Sequence, residues 1–205
     1  MSIAFASTQD ENFRAKSVNA QTIAGLDEVG RGAISGPLVV GCFVRDTQQK
    51  MPAVKDSKAL SPHKRRTLLP KIFSCACAWS VGIVEANEIS LHGMTWALRT
   101  AYNQALASLP FSPHLVIYDG LPQHLNHPQA HAIIRGDQTH ATIAAASIIA
   151  KVVRDLFMDA IGEDYPAYFF HSHKGYGTPL HKQALQTNGA INGIHRTQFV
   201  KTFLT

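Results

Sequence analysis

The chain has 205 residues, of which 45% are hydrophobic and 16% are charged, and this length suits one large domain. The hydrophobic fraction excludes a disordered chain, and no apolar stretch approaches the roughly 20 residues that a membrane-spanning helix needs. The net charge of +5 and the pI near 9.2 are compatible with a polyanionic partner but do not identify one. No basic residue precedes a hydrophobic run at the N-terminus, so we expect no secretory signal and a cytoplasmic location.

The first half of the chain predicts strands and one helix. We expect residues 1–21 to form a loose N-terminal segment, because most of residues 8–21 are polar. Ser61 and Pro62 are typical of a helix start, with Ser61 as the N-cap, and Pro70 should end or kink that helix. Short apolar runs are typical of strands, and their order suggests an antiparallel meander. These runs span residues 22–28, 36–44 and 75–84.

The second half alternates strands with helices. Apolar residues recur at every third or fourth position from Asn87, which predicts one helix to about Leu109. Two further apolar runs predict strands, and two later segments predict helices, the first with small residues that would let it approach its neighbour closely. The strands span 114–119 and 131–135, and the helices span 141–161 and 179–188. This order of elements predicts an α/β fold with a mixed sheet and helices packed on it.

Cysteines and histidines raise the question of a metal site. Cys75 and Cys77 lie two positions apart in an expected strand, so they would point to the same face. A single C-x-C pair is weak support for a metal or redox site, and we predict buried cysteines and no disulfide. Several histidines could suggest zinc, but zinc needs ligands at a defined spacing, and we expect these residues in loops and on the surface. They are His124, His127, His131, His171 and His173.

Acidic residues follow three of the apolar runs, each close to a glycine. They are Asp27, Glu28, Asp119 and Asp137. An aspartate at a strand end often caps a turn, and this alternative stays open for each residue taken alone. Three strand ends that deliver acids to one sheet edge are harder to explain in that way. Asp27 and Glu28 can share a site only if the strand breaks between them or just after them, because neighbouring strand residues face opposite sides.

Carboxylates at one sheet edge repel one another unless cations neutralise them. Their hard oxygen atoms suit Mg²⁺ or Mn²⁺, and two such ions about 3.5–4 Å apart are the usual device for in-line displacement at a phosphodiester. A basic chain with an acidic metal site therefore fits a nuclease.

Seven motifs follow one another in the order seen in ribonuclease HII. They are GLDEVGRGAISGPLVVG (25–41), DSKAL (56–60), YDG (118–120), RGD (135–137), AAASIIAKVVRD (144–155), HKGYGT (173–178) and HR..F (195–199). The sequence resembles this family over nearly the whole chain, from Thr22 to Phe199, and its D-E-x-G-R-G and H-x-G-Y-G-T signatures are specific. The resemblance implies a ribonuclease H-like fold: a mixed five-stranded sheet flanked by helices. It also implies a single catalytic domain over 22–205, with a C-terminal helical segment from about residue 165.

The resemblance implies an endonuclease that hydrolyses the RNA strand of RNA–DNA hybrids and cuts 5′ of ribonucleotides embedded in duplex DNA. It also implies a two-metal-ion mechanism with Mn²⁺ or Mg²⁺, products with 3′-hydroxyl and 5′-phosphate ends, and roles in ribonucleotide and primer removal. We expect RNA–DNA hybrids and ribonucleotide-containing duplex DNA as partners, no membrane association, and a monomer. A replication clamp is a conceivable partner, but the C-terminal QFVKTFLT contains no clear clamp-binding motif.

Site residues follow from the same resemblance. The family's four catalytic, metal-binding carboxylates match Asp27, Glu28, Asp119 and Asp137. Its loop that reads the 2′-hydroxyl at the RNA-to-DNA junction matches Gly30, Arg31 and Gly32. Its tyrosine that packs on the sugar beyond the scissile ribonucleotide matches Tyr176, for which a buried loop aromatic is the alternative. Candidates for phosphate contacts are Lys58, Ser147 and Lys151. Ser147 could equally be a small residue in a tight helix interface, and Lys151 a solvated helix position.

Four residues depart from the usual family pattern: Val29, Ala33, Leu121 and Ala144. None of them removes a carboxylate, the glycine loop or the tyrosine. Two other classes remain as alternatives: another two-metal phosphodiesterase of ribonuclease H-like fold, and a nucleic-acid-binding module without catalysis. The first lacks the combination of G-R-G loop and tyrosine. The second is opposed by the strand-end acids, which repel phosphate unless a metal intervenes.

Overall fold

The computed structural model describes residues 6–54 and 60–203. At its centre is a five-stranded sheet with strand order β3-β2-β1-β4-β5. The strands are β1 (Thr22–Val29), β2 (Leu38–Asp46), β3 (Ala78–Val84), β4 (Leu115–Asp119) and β5 (Ala130–Ile133). The pairs β1–β2 and β2–β3 are antiparallel, which confirms the predicted meander, whereas β1–β4 and β4–β5 are parallel. The sheet is therefore mixed, as predicted.

Helices cover both faces of the sheet in the described part of the chain. They are α1 (Gln9–Ser17), α2 (Pro62–Phe73), α3 (Ala86–His92), α4 (Met94–Ala107), α5 (Gly136–Thr139), α6 (Ala141–Asp164), α7 (Phe170–His173), α8 (Pro179–Asn188) and α9 (Thr197–Val200). Short 3₁₀ turns occur at Pro122–His124, Pro166–Tyr168 and Lys201–Phe203. Across the described residues, no helix has both the length and the apolar character to cross a membrane.

Alternate residues of β1 face different helices, because strand side chains point to opposite faces in turn. Leu26 packs with Leu98 of α4 in one apolar cluster. Ile23 packs with Ile143 of α6 in another. The same alternation places Asp27 on the α6 face of the sheet and Glu28 on the α4 face.

Small residues let α6 lie directly against β1 and β2. A Cβ added at Gly25 would lie 2.4 Å from the carbonyl carbon of Thr142, and one added at Gly41 would lie 2.3 Å from the carbonyl oxygen of Ala146. The first ten residues of α6 are all buried. Only glycine fits at these two strand positions while the helix keeps this distance, so the predicted close approach is confirmed.

The expectation of a loose N-terminal segment is wrong for residues 9–17, which form α1. Glu11 of this helix is fully buried and forms an ion pair with Arg45 of β2, with an N···O distance of 2.9 Å. The same carboxylate accepts hydrogen bonds from the N–H and the hydroxyl of Thr142 at 2.8 and 2.5 Å. Polar contacts of Glu11 hold α1 on the sheet. The sequence of α1 lacks the apolar stripe that usually indicates a packed helix, and for this reason the helix was not predicted.

Two helix predictions also need correction. The helix expected from Asn87 to about Leu109 is divided into α3 and α4 at Gly93, whose φ of +84° is a conformation that L side chains rarely adopt. Pro70 lies inside α2, which continues to Phe73, so the helix does not end at this proline, and the alternative of a kink there stays a prediction. The predicted cap of α2 is confirmed, since the Ser61 side chain accepts a hydrogen bond from the Lys64 N–H at 3.3 Å.

The cysteine prediction is partly wrong. Strand β3 begins at Ala78, so Cys75 and Cys77 precede the strand and do not share one of its faces. Cys75 is buried, whereas Cys77 is exposed. All three cysteines, including Cys42, are free thiols, as expected.

The residues after Asp164 form a helical layer with its own apolar cluster. Phe170 and Leu185 are buried in this cluster, together with Met158 of α6. The layer carries Tyr176 and packs against the loop between β1 and β2, where the Ile34 N–H donates to the Gly175 carbonyl at 2.9 Å. The loop after β1 and the Tyr176 segment therefore lie side by side.

Candidate active site

Three carboxylates meet at the sheet edge where the parallel strands end. Asp27 lies near the end of β1, Asp119 ends β4, and Asp137 lies in α5 just after β5. One carboxylate oxygen of each lies within 4.8 Å of the other two. Parallel pairing of β1 with β4 and of β4 with β5 brings these ends together, as the strand-end argument predicted. No other group of three metal-ligating side chains occurs among the residues that the structure describes.

A backbone turn holds two of these acids. β5 ends at Ile133, and Arg135 adopts the left-handed conformation, with φ of 55°, that leads into α5. The Gly136 N–H then donates a hydrogen bond to Oδ1 of Asp119 at 3.0 Å. Asp137 follows and is 2% exposed. The turn that places Asp137 therefore also orients Asp119.

Asp27 is an acid whose burial opposes its charged form. It is 3% exposed, and its Oδ1 accepts a hydrogen bond from the Glu28 N–H at 2.8 Å. Its Oδ2 makes no hydrogen bond of normal geometry with any described residue. Burial raises the pKa of Asp27 well above its usual range, and repulsion from Glu28 adds to this effect, whereas the Ser147 hydroxyl opposes it. A divalent cation would stabilise the charged form, so the three carboxylates suit Mg²⁺ or Mn²⁺.

Glu28 lies beside this group, on the α4 face of β1. The strand stays regular to Val29 and breaks just after it, at Gly30, whose φ is +99°. Oε2 of Glu28 accepts a hydrogen bond from the Tyr102 hydroxyl at 2.6 Å, and Oε1 lies 3.7 Å from Nη1 of Arg31. The structure thus brings three of the four predicted carboxylates together and fixes the fourth next to them.

Tyr102 was not predicted from the sequence. It is fully buried in α4, and its hydroxyl oxygen also lies 2.8 Å from the carbonyl oxygen of Asp119. Burial raises the pKa of Tyr102 well above its usual range, with further contributions from the charges of Glu28 and Asp27, so the hydroxyl remains a donor. Nothing in the sequence singles it out, because an aromatic residue beside the apolar positions of a helix is ordinary core material.

A cavity of about 550 Å³ opens beside Glu28. Its lining combines the predicted glycine loop with basic and aromatic side chains. These residues are Val29, Gly30, Arg31, Gly32, Arg65, Lys151 and Tyr176. A backbone bridge between Ala33 and Tyr176 holds the loop against the tyrosine. The predicted ribose-reading residues therefore line one cavity together with Glu28, the chain neighbour of Asp27, and Arg65 is an unpredicted member of that lining.

Cations flank the ring of Tyr176. The guanidinium carbon of Arg154 lies 5.2 Å from the ring centre, and Nζ of Lys151 lies 5.8 Å from it. Lys151 also forms an ion pair with Asp155, with an N···O distance of 2.6 Å. Both cation–π contacts favour one orientation of the ring at the cavity wall.

Ser147 and Lys58 are the other predicted phosphate contacts besides Lys151. Ser147 is fully buried in α6 beside Asp27, a position that favours the alternative of a small residue in a tight helix interface over a phosphate contact. Lys58 lies outside the described residues.

The mixed sheet and its acidic edge are those of ribonuclease H-like nucleases. The family model for ribonuclease HII matches residues 24–202. A ribonuclease HII of Synechococcus sp. (strain WH7803) is 43% identical over 181 residues, which are 86% of this chain and 93% of that protein. The chain belongs to the ribonuclease HII family.

Solved structures agree with this assignment. The ribonuclease H2 from Pyrococcus horikoshii OT3 superposes with a TM-score of 0.73 at 28% identity, covering 89% of this chain and 97% of that one. Bst-RNase HIII in complex with Mn²⁺ shares the fold, with a TM-score of 0.66 at 18% identity, covering 92% of this chain and 70% of that one. The chain is therefore a ribonuclease H, an endonuclease that acts on RNA–DNA hybrids in a family that depends on divalent metal ions.

Proposed function

We propose that this ribonuclease H also cuts on the 5′ side of single ribonucleotides embedded in duplex DNA, leaving 3′-hydroxyl and 5′-phosphate ends. The observation that carries the proposal is that Glu28, the chain neighbour of Asp27, lines the same cavity as Gly30, Arg31 and Gly32. A scissile phosphate held at the carboxylates would place the ribose of that nucleotide against the glycine loop. Selection for one 2′-hydroxyl then needs no contact with a second ribonucleotide.

The catalytic groups in this proposal are Asp27, Glu28, Asp119 and Asp137. Their oxygen atoms would hold two divalent ions, Mg²⁺ or Mn²⁺. When bound, such a pair activates a water molecule and stabilises the leaving oxygen. The chain itself keeps the ligands in place: the Gly136 N–H orients Asp119, and the Tyr102 hydroxyl orients Glu28.

Recognition of the ribose depends on the loop after β1. Gly30 and Gly32 have no side chain, so backbone groups can approach a 2′-hydroxyl closely. The Arg31 side chain is 53% exposed, its Nη1 lies 3.7 Å from Oε1 of Glu28, and both residues line the cavity. Tyr176 would pack on the next sugar, with its ring held by Arg154 and Lys151. We propose Lys151 and Lys58 as phosphate contacts.

The test is incubation of the protein with a DNA duplex that contains one ribonucleotide, with and without Mn²⁺, beside an all-DNA duplex of the same sequence. We expect metal-dependent cleavage immediately 5′ of the ribonucleotide and an intact control. Equal cutting of both duplexes would overturn the proposal in favour of a general two-metal phosphodiesterase. Binding of the duplex without cleavage in the presence of Mn²⁺ would favour a non-catalytic nucleic-acid-binding module.

We further propose a single catalytic domain over 22–205 that acts as a cytoplasmic monomer in ribonucleotide removal and primer RNA removal. The net charge of +5 supports a nucleic-acid partner, since the four proposed catalytic acids are included in that sum and the remaining surface is correspondingly more basic. Light scattering of the purified chain, alone and with the hybrid, would measure its oligomeric state.

A further inference from the structure

His195 and Arg196 are consecutive residues of the C-terminal segment. Arg196 is hydrogen-bonded directly to the loop between β1 and β2, and His195 is linked to Tyr176 through His181. His195 and Arg196 are fully buried, at 1% and 0% exposure. Neither lines the cavity or belongs to the carboxylate group. Their hydrogen bonds indicate what they do.

The guanidinium of Arg196 donates hydrogen bonds to backbone carbonyls of the loop between β1 and β2, which includes the glycine loop. Nη1 lies 2.7 Å from the carbonyl oxygen of Gly30, 2.8 Å from that of Ala33 and 3.3 Å from that of Arg31. Nε and Nη2 lie 3.1 and 2.9 Å from the carbonyl oxygen of Gly36. Burial lowers the pKa of Arg196 to about 9, which leaves the group charged at neutral pH. One rigid planar cation thus determines where four loop carbonyls lie.

His195 is bonded to Tyr176 through one other histidine. The Ile191 N–H donates to Nδ1 of His195 at 2.8 Å, so the neutral ring carries its proton on Nε2. That Nε2 lies 3.2 Å from Nε2 of His181, which must therefore be the acceptor. The proton of His181 is then on Nδ1, which lies 2.9 Å from the carbonyl oxygen of Tyr176. These bonds fix one tautomer for each ring.

Backbone hydrogen bonds also join the segment that carries His195 and Arg196 to the loop between β1 and β2. The Gly36 N–H donates to the Ile194 carbonyl at 2.8 Å, and the Arg196 N–H donates to the Ile34 carbonyl at 2.9 Å. Resting on the function proposed above, we propose that His195 and Arg196 are positioning residues that hold the glycine loop and Tyr176 at a fixed separation. In this proposal the glycine loop and Tyr176 would contact adjacent sugars of the substrate. His181 transmits the position of His195 to Tyr176.

The hydrogen-bond relay can be tested without substrate. Long-range ¹H–¹⁵N NMR spectra of the free protein at pH 7 distinguish the two neutral tautomers of each histidine. We expect the Nδ1–H tautomer for His181 and the Nε2–H tautomer for His195. The Nε2–H tautomer at His181, or a freely exchanging mixture, would overturn the relay whether or not the protein cleaves DNA.

Two substitutions at His181 separate positioning from packing. Asn places its amide nitrogen near the position of Nδ1 and can still donate to Tyr176, whereas Gln places its amide near Nε2 and cannot. Both variants lose the stacking of His181 on His173, whose ring centres are 4.2 Å apart, so they match as controls for each other. On the single-ribonucleotide duplex we expect kcat to fall about tenfold in His181→Gln and to stay within about threefold in His181→Asn. Equal losses in both variants would contradict the proposal.

Arg196→Lys keeps the charge but loses the planar fork, and Arg99→Lys is the matched substitution at an exposed position of α4. We expect a loss of about tenfold in kcat/KM for the single-ribonucleotide duplex in the first variant and none in the second. Unchanged kcat/KM in a folded Arg196→Lys would overturn the role of Arg196. If the unaltered protein fails to cut that duplex, the proposed function fails, while the tautomer result still decides the relay.

Discussion

The hydroxyl of Tyr102 lies 2.6 Å from Oε2 of Glu28 and 2.8 Å from the backbone carbonyl of Asp119. It joins the ends of β1 and β4, which carry two of the proposed catalytic acids. The donor comes from α4, on the face of the sheet opposite to Asp27. Both faces of the sheet therefore help to hold the site.

We expect Tyr102→Phe to lower the free energy of unfolding by about 1–2 kcal/mol and kcat on an RNA–DNA hybrid by about tenfold, because the partly buried carboxylate of Glu28 loses its donor. Thermal unfolding and single-turnover cleavage measure the two effects. Tyr118→Phe is the control, since the Tyr118 hydroxyl bonds to the Leu121 carbonyl at 3.2 Å and is not hydrogen-bonded to a carboxylate. Equal losses of kcat in both variants would contradict the role of Tyr102.

Asp119→Asn should abolish cleavage and preserve the fold. Asn keeps the oxygen that accepts the Gly136 N–H, and the change removes one of the charges that raise the pKa of Asp27. We expect an unchanged or higher Tm without metal, unchanged binding of the hybrid, and a loss of at least about a hundredfold in Mg²⁺- or Mn²⁺-dependent cleavage. Fluorescence anisotropy and a cleavage assay on the same preparation measure binding and activity. Full activity in this variant would remove Asp119 from the mechanism.

Divalent ions should stabilise the fold, since they bind the assembled carboxylates and not the separated ones of the unfolded chain. At a concentration of about 100 times Kd the gain is roughly 2.7 kcal/mol for one site. We expect Mn²⁺ or Mg²⁺ to raise the Tm of the unaltered chain and to raise that of Asp119→Asn much less. Sodium chloride at matched ionic strength controls for screening. The same rise in both proteins would place the binding site elsewhere.

The acidic site could be predicted from the sequence because its position depends on where the strands of the sheet end. Apolar runs that end in Asp27, Asp119 and Asp137 predict strands, and parallel strands bring their ends to one edge. Once the family was recognised, the glycine loop and Tyr176 followed as well. These features are local in sequence, so a pattern of a few residues suffices to find them.

The features that sequence reasoning missed depend on contacts between distant positions. Tyr102 reaches Glu28 across 74 residues, and Arg196 reaches Gly30 across 166. A tyrosine or an arginine in the sequence does not by itself indicate such a contact, since both residue types occur buried in many different roles. Gly93 was missed for another reason: an isolated glycine in an apolar periodic pattern fits both a weak helix position and a break, and only the backbone angle decides.

Acid should destabilise the fold through the histidine pair. Burial lowers the pKa of both His181 and His195 to about 4, whereas unfolded histidine titrates near 6.5. Between these values the unfolded chain binds protons that the folded chain excludes, so the free energy of unfolding falls as pH decreases from about 6.5 to about 4 and is insensitive to these groups above 6.5. The slope is at most about 1.4 kcal/mol per pH unit for each histidine.

Urea unfolding at pH 4.5 to 7.5 measures this slope. His181→Asn should flatten it, whereas His63→Asn, at an exposed position of α2, should not. Asp27 acts in the opposite direction, because its raised pKa favours the folded state in acid. Since Asp27 is present in all three proteins, comparison of their slopes cancels its contribution. Identical slopes of unfolding free energy against pH in the unaltered chain and both variants would contradict the conclusion that His181 and His195 are buried in the neutral form.

Gly32→Ala should separate substrate contact from folding. No atom of the described residues lies within 4 Å of a Cβ added at Gly32, and its φ is not in the left-handed region, so we expect a Tm within about 1 °C of the unaltered chain. A methyl group at the cavity wall should nevertheless lower kcat/KM for the single-ribonucleotide duplex, by about tenfold if it displaces the ribose. Gly30→Ala does not make this distinction, because its Cβ would lie 2.3 Å from Nε of Arg154 and its φ is +99°. A Gly32→Ala protein with unchanged stability and unchanged kcat/KM would show that the substrate does not approach this part of the loop.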